Sequence, residues 1–472
     1  MNSSPLAFPE AARAALTDAR LAEALGRLKT GFQAKRAEAF AALPDAEGLR
    51  EAGRAIRADA LSRLDELLLQ FESKVQAAGG HVHWARDAGE ARDIITGILK
   101  DAGAKLVTKG KSMIAEEVAL NPHLEANGIV PIETDLGEYI VQLRREPPSH
   151  IIAPAYHLSR SQVAGTFRRA HTSLNPGRNL DDRAALVAEA RAMLRGSFLQ
   201  ADAGITGANF LVAETGSAVI VTNEGNGDLT RLLPRTHIVL TSIEKAVPTL
   251  ADASLLLRLL TRSATGQEIT AYVTLASGPK RRGDADGPEN FHVVLLDNGR
   301  SALLGGPARE VLQCIRCGAC LNHCPVYGAI GGHAYGAVYS GPIGAALDPA
   351  LEGIKIAHHL PNASSFCGRC ETVCPVKIPL TRIMRHWRNV EFSQGVAPRS
   401  SILALKLCAV LALRPKLYSF ATAMVARVLR LAARGKKTLA SLPVFRSWFA
   451  ERDLPVPPRD SFQSRWRKGE RP

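Results

Sequence analysis

Seven of the eight cysteines fall between positions 314 and 374, in two groups, and nothing else in the chain restricts its surroundings so tightly. The first group reads Cys314-Ile-Arg-Cys317-Gly-Ala-Cys320-Leu-Asn-His-Cys324-Pro325. This is the C-x2-C-x2-C-x3-C-P spacing of bacterial iron-sulfur proteins. Two intervening residues let successive thiolates curl round one cube of iron and sulfide. Gly318 lets the backbone pass close to that cube, and Pro325 turns the chain away. The second group, Cys367-Gly-Arg-Cys370-Glu-Thr-Val-Cys374-Pro375, repeats the run with Ser364 where its leading cysteine belongs.

In two-cluster ferredoxins the fourth cysteine of each run crosses to the other cluster. That rule assigns Cys314, Cys317, Cys320 and Cys374 to one [4Fe-4S] cluster, and Cys324, Cys367 and Cys370 to a second that lacks a fourth cysteine. A water, the Ser364 oxygen, a partner's side chain, a three-iron form or the remoter Cys408 can each fill the gap. Zinc takes its four ligands as two pairs, whereas three of these follow at three-residue steps and each group closes with Cys-Pro. Disulfides are disfavoured as well. Met1-Asn-Ser-Ser-Pro-Leu passes straight into charged helical sequence with no signal peptide, so a reducing, cytoplasmic setting is expected.

A length of 472 residues suits about three domains, and 46% hydrophobic with 22% charged residues is ordinary for a globular protein. The net charge of +14 is concentrated at one end: residues 401–472 hold 15 Lys+Arg against 4 Asp+Glu, a balance of +11. A basic tail fits an acidic partner or an anionic membrane surface, with a solvated helix face as the plainer reading. Nucleic acid is not expected, because no zinc-finger, helix-turn-helix or aromatic RNA-binding signature accompanies the charge. The apolar runs of the tail, 407–413 and 417–426, are too short to span a bilayer.

Residues 1–78 read as helical, with a break near Pro44 and Asp45 placed to cap the next helix. From Gly79-Gly80 the pattern changes to α/β. Strands are expected at 81–85, 105–107, 128–132, 151–154, 208–214, 218–222, 237–242, 269–275 and 291–296, with helices at 88–102, 181–199 and 250–261. Alternating strand and helix imply a parallel sheet with helices packed on it, placing one α/β domain at 79–299. Residues 300–400 form the cysteine module and 401–472 the helical basic tail. The Gly- and Tyr-rich connector 327–342 is expected to pass close to the clusters, with His333 a turn histidine rather than a ligand.

Two near-motifs fail. Gly110-Lys-Ser112 ends like a P-loop, but the earlier glycine position is Lys105; Gly225-Asn-Gly227 has Thr230 where a dinucleotide fingerprint needs its third glycine. No nucleotide, flavin or nicotinamide site is therefore expected. Polar residues at strand ends remain, chiefly Lys109, Lys111, Ser112, Glu214, Glu224 and Lys245, with Glu116, Thr215 and Asn223 beside them. Ligands of open α/β sheets bind at the carboxyl ends of strands, and Lys109-Gly-Lys111 suits a small carboxylate or phosphate. Turn residues and strand-edge charges look the same in sequence.

Further stretches carry a family likeness: Lys109-Gly-Lys-Ser-Met113, Glu133-Thr-Asp-Leu-Gly-Glu138, Ile205-Thr-Gly-Ala-Asn-Phe210, Ala213-Glu-Thr-Gly-Ser217, Asn223-Glu-Gly-Asn226, Ile243-Glu-Lys245, Gly331-Gly-His-Ala-Tyr335 and both cysteine groups. Over nearly its whole length the chain resembles the lactate utilization protein B family, the iron-sulfur subunit of a bacterial system that oxidises L-lactate to pyruvate. The resemblance implies a three-layer α/β lactate-utilization domain like the sugar-isomerase and CoA-transferase group, followed by a helical ferredoxin-type module. It also implies two partners: a cysteine-rich subunit similar to heterodisulfide reductase and glycolate oxidase subunits, and a smaller protein with the same α/β domain. Electron transfer is the function this favours, with peripheral contact at the inner membrane face open to the basic tail. It supplies no catalytic residues. Two rival readings are an α/β-domain transferase or isomerase using Glu214 or Glu224, with clusters as sensor or staple, and a docking scaffold.

Overall fold

The runs Thr236–Ser242 (β7) and Asn290–Leu296 (β10) are buried along almost their full length, as strands covered on both faces must be. In the computed structural model, which describes residues 4–110, 112–442, 449 and 452–469, they form the middle of a six-stranded sheet. His81–Ala85 (β1), Leu106–Lys109 (β2), Val130–Glu133 (β3) and Ala203–Thr206 (β4) complete it, in the order β1-β10-β7-β4-β2-β3. Every pairing is parallel.

A second sheet of four strands, not anticipated in the sequence, stands apart from the first. Phe210–Val212 (β5) and Ser217–Thr222 (β6) form an antiparallel hairpin, flanked by Ala246–Val247 (β8) parallel to β5 and Tyr272–Ala276 (β9) antiparallel to β6. Helix Leu250–Ala264 opens with a reciprocal cap between Thr249 and Asp252 and packs on this sheet. The strand expected at 151–154 is a loop instead. Pro147, Pro148 and Pro154 lack the backbone donors that a ladder needs, and the segment packs on the cysteine module. β4 and the helices Leu136–Arg144 and Arg160–Ala170 were not foreseen.

Asp45 caps helix Ala46–Ser62 through the Gly48 amide, as expected. This helix packs on helix Leu250–Ala264 and on the turn Arg309–Gln313, while Leu64–Ala77 packs on β1 and β8. One apolar core therefore runs from the N-terminal helices through the second sheet into the cysteine module, without a seam near positions 78 or 300. A second core lies under helix Ala88–Asp101 on the six-stranded sheet, and a satellite lies around Phe167.

The chain up to Glu391 is one compact unit, and the residues from Phe392 onward form another. The latter contains helices Arg399–Ala412 and Pro415–Ala433, whose Leu403, Leu407, Phe420 and Leu431 are exposed. No described helix is long and apolar enough to cross a membrane.

Candidate functional site

Cys314, Cys317, Cys320 and Cys374 line one small cavity. Cys324, Cys367 and Cys370 line another, together with Ser364 and Ser365. Folding thus brings the last cysteine of each group to the other group. The local backbone explains the arrangement: Arg316, Gly318 and Gly368 take positive φ, curling each run so that its thiols converge. Backbone amides point at sulfur, with Arg316 N to Cys314 Sγ at 3.3 Å, Ile378 N to Cys374 Sγ at 3.4 Å and Tyr327 N to Cys324 Sγ at 3.5 Å.

Burial, then the nearness of Cys374 and Cys314, pushes the Cys317 thiol up to about 12; burial, then Cys324, does the same to Cys370. Such buried thiols become thiolates when a metal takes the place of the proton. No three His, Cys, Asp or Glu side chains among the described residues are placed to share a single ion. Sets made of cysteine sulfur, three or four to a cavity, suit an iron-sulfur cluster. Ser364 Oγ accepts from the Phe366 amide at 3.2 Å, and Cys408 lies exposed on helix Arg399–Ala412 of the C-terminal unit.

N-terminal side chains hold this module from behind. Arg36 donates to the Val373 carbonyl at 2.7 Å, and Arg50 to the Cys374 carbonyl at 2.8 Å. In front lies the loop after helix Leu136–Arg144: Tyr327 Oη donates to the Ser149 carbonyl at 2.8 Å, and His150 Nε2 pairs with Asn322 Oδ1 at 2.9 Å. A Cβ on Gly332 would stand 1.8 Å from the Ser149 carbonyl oxygen, and one on Gly318 3.1 Å from Ile152. The connector glycines were expected to make room for the clusters; at Gly332 the α/β loop occupies that room. His333 binds the Pro147 carbonyl at 2.8 Å from a 3-10 turn.

Between the sheets and the module lies a network of buried charges. Glu244 takes Arg300 Nε at 2.9 Å and Arg316 Nη2 at 3.2 Å. Burial alone would raise Glu244, but Arg300 and Arg316 hold it down at about 2. Glu117 accepts from Arg300 at 2.7 Å and from the Tyr339 hydroxyl at 2.6 Å, and the Arg316 guanidinium lies 4.4 Å from the Tyr339 ring centre. Sequence reading passed over this set; an arginine between two cysteines of a ligand run was the available signal.

Beside the network opens a cavity of about 350 Å³, lined among others by Ser112, Thr206, Glu224, Lys245, Arg316 and Tyr339. Gly110 and Gly207 place it at the carboxyl ends of β2 and β4, where open parallel sheets bind ligands. Of the six residues singled out in sequence, Ser112, Glu224 and Lys245 line it. Lys109 does not: it is fully buried, 2.9 Å from Glu116 and 2.7 Å from Glu133, and these carboxylates raise its pKa against the effect of burial. Glu214 is on the surface, accepting from the Leu250 amide at 2.9 Å at the start of a helix. Lys111 lies outside the described residues. Lys245 donates to the Ala208 carbonyl at 2.7 Å; burial and then Arg316 lower it to about 8. Ile151 and Arg316 line both this cavity and the one framed by the first cysteine set.

The family model of the LUD domain matches residues 68–296, and that of the 4Fe-4S dicluster domain matches residues 310–378. Lactate utilization protein B of Lysinibacillus sphaericus is 42% identical over 99% of this chain and 98% of its own. The chain belongs to the lactate utilization protein B family. Its relative from Geobacillus thermodenitrificans is 45% identical over 89% of this chain and 88% of its own, and that from Bacillus pumilus 41% identical over 98% and 97%. A DUF162 family crystal structure from Deinococcus radiodurans covers 49% of this chain and 98% of its own at 15% identity with a TM-score of 0.27, too slight a likeness to argue from. Family membership accounts for the α/β domain followed by the dicluster module. The match begins within helix Leu64–Ala77, ahead of position 79, consistent with that helix packing on β1 and β8.

Proposed function

We propose that this chain is the iron-sulfur electron-transfer subunit of a complex that oxidises L-lactate to pyruvate. Oxidation of the C2 hydroxyl to a ketone releases two electrons and two protons. Two clusters, when bound, supply one-electron acceptors for that pair. Cys314, Cys317, Cys320 and Cys374 would hold the first, and Cys324, Cys367 and Cys370 the second, in a cavity that Ser364 also lines. The observation that carries the reading is the shared wall: Ile151 and Arg316 bound both the α/β cavity and the first cysteine set, so a substrate there is one side chain from an electron acceptor.

The family resemblance supplies the partners: a cysteine-rich subunit and a smaller protein with the same α/β domain. The basic C-terminal unit, with exposed leucines between its lysines and arginines, is suited to docking on an acidic partner or an anionic membrane face.

The rival reading makes the α/β domain an enzyme with Glu224 as base. Cys317→Ala and Glu224→Gln, each rebuilt into the complex, separate the two. The relay reading expects Cys317→Ala to stop lactate-dependent reduction of the downstream acceptor. Loss of turnover in Glu224→Gln, with Cys317→Ala still reducing an artificial acceptor, would favour the rival.

A further inference from the structure

Arg316 is 7% exposed, and its only ion-pair partner among the described residues is Glu244, through Nη2. Its Nε and Nη1 have no hydrogen-bond partner among the described residues. Buried donors are almost always satisfied, so two on one guanidinium need an explanation. Tyr339, over which the guanidinium lies, lines the α/β cavity and not the cysteine cavity. The guanidinium therefore borders the α/β cavity while also lying near Cys314 of the cysteine run.

On the same cavity lies Lys245, close enough to Arg316 for the two cations to repel. Lys245 has a carbonyl as its hydrogen-bond acceptor, and Glu244 is already shared with Arg300. Arg57, buried beside them, is bound to carbonyls only. Cys314 and Asp348 also lie close enough to act on Arg316, so what the network leaves unmet is the donors at Nε and Nη1 rather than net charge.

We propose that Arg316 and Lys245 form a binding site for the carboxylate of a small 2-hydroxy or 2-oxo acid, held in this chain's own α/β cavity beside the first cysteine set. The unpartnered Nη1 can donate to one carboxylate oxygen, and the ammonium adds a second charge-assisted contact. The assignment rests on the lactate-oxidation reading for the identity of the acid, and on geometry alone for the anion site.

The test is binding of pyruvate, the product form, to the full-length, cluster-loaded chain without its partners, by anaerobic equilibrium dialysis with L-lactate as competitor. Saturable binding is expected, weakened about tenfold or more by Lys245→Met, which leaves the cysteine runs untouched. Arg316→Lys, which keeps the charge and loses the planar guanidinium with its Nη1 donor, is expected to weaken it by a similar factor while the visible spectrum shows both clusters retained. Absence of saturable pyruvate binding to the native chain, or affinity unchanged in Lys245→Met, would overturn the proposal. So would native chain that binds no pyruvate while Arg316→Lys shifts only the paramagnetic spectrum, which would place the free N–H groups on cluster sulfur. Should the chain bind no pyruvate while the assembled complex still passes electrons from lactate, the site is wrong and the relay stands. Should it bind pyruvate while the complex passes none, the reverse holds.

Discussion

Replacing Arg57 by Met keeps the aliphatic stem and removes a guanidinium that joins the α/β domain to the first cysteine run. Arg57 is 1% exposed on helix Ala46–Ser62 and donates to Ala246 O at 2.8 Å, Leu312 O at 3.0 Å, Gln313 O at 3.3 Å and Glu244 O. Burial lowers its pKa to about 10, so it stays charged at neutral pH. An abandoned buried acceptor costs about 1–3 kcal/mol. Four of them overcount, because carbonyls relax and accept elsewhere, and breaking a buried charged contact typically totals about 3–5 kcal/mol. With a urea slope of roughly 3 kcal/mol per molar or more for a unit of this size, the midpoint should fall by roughly 1–1.7 M at most. Leu312 and Gln313 directly precede Cys314, so loss of the first cluster should accompany the change and the second cluster should be released later. Anaerobic urea titration of the full chain, followed by circular dichroism and visible absorbance together, measures both. An unchanged midpoint with unchanged cluster release would refute the view that Arg57 ties the two parts together.

Ser364→Cys should place a thiolate in the cavity lined by Cys324, Cys367 and Cys370, lower the potential of the second cluster and slow its oxidative loss; an unaltered paramagnetic spectrum and potential would mean that position 364 does not face the cluster. His237 is fully buried with Nε2 2.8 Å from Thr206 Oγ1, and burial, then Arg231, depresses it to about 3. A depressed histidine contributes stability above its unfolded pKa of about 6.5 and loses it as pH falls, by at most about 1.4 kcal/mol per pH unit down to its folded value. His237→Asn should flatten the pH dependence of the denaturation midpoint between pH 6 and pH 4, and an identical slope would exclude this origin. Removing residues 401–472 should abolish salt-sensitive sedimentation with anionic vesicles or with the partner subunits while both clusters still assemble; association that resists salt would assign the contact to the exposed leucines rather than the charge.

The cysteine module was legible because the cysteines within each group are three or four positions apart, and the crossover rule of two-cluster ferredoxins joins the groups. The parallel sheet was legible from short β-branched and apolar stretches such as 237–242 and 291–296, alternating with helical stretches such as 88–102 and 250–261. β4 escaped because Ala203-Gly-Ile-Thr206 is short and two of its residues are small; it is a strand because it pairs with β2 and β7. The charges around Arg316 escaped because their partners are remote: Arg57 meets carbonyls 187 to 256 positions away. Lys109 looked like a ligand-binding lysine at a strand end, but its cross-strand neighbour is Glu133, which the sequence places twenty-four positions on and the register brings alongside. Glu214 looked like a catalytic base or nucleophile; from a strand-end turn, its carboxylate reaches the first amide of helix Leu250–Ala264, as an N-terminal carboxylate favours.

The central claim is that electrons from lactate pass through this chain. Anaerobic mixing of L-lactate with the assembled complex, freeze-quenched and read by paramagnetic resonance, tests it most directly. The clusters of this chain should become reduced at a rate no slower than turnover, and reoxidise when the downstream acceptor is added. Clusters that stay oxidised while lactate is consumed at the full rate would contradict the account.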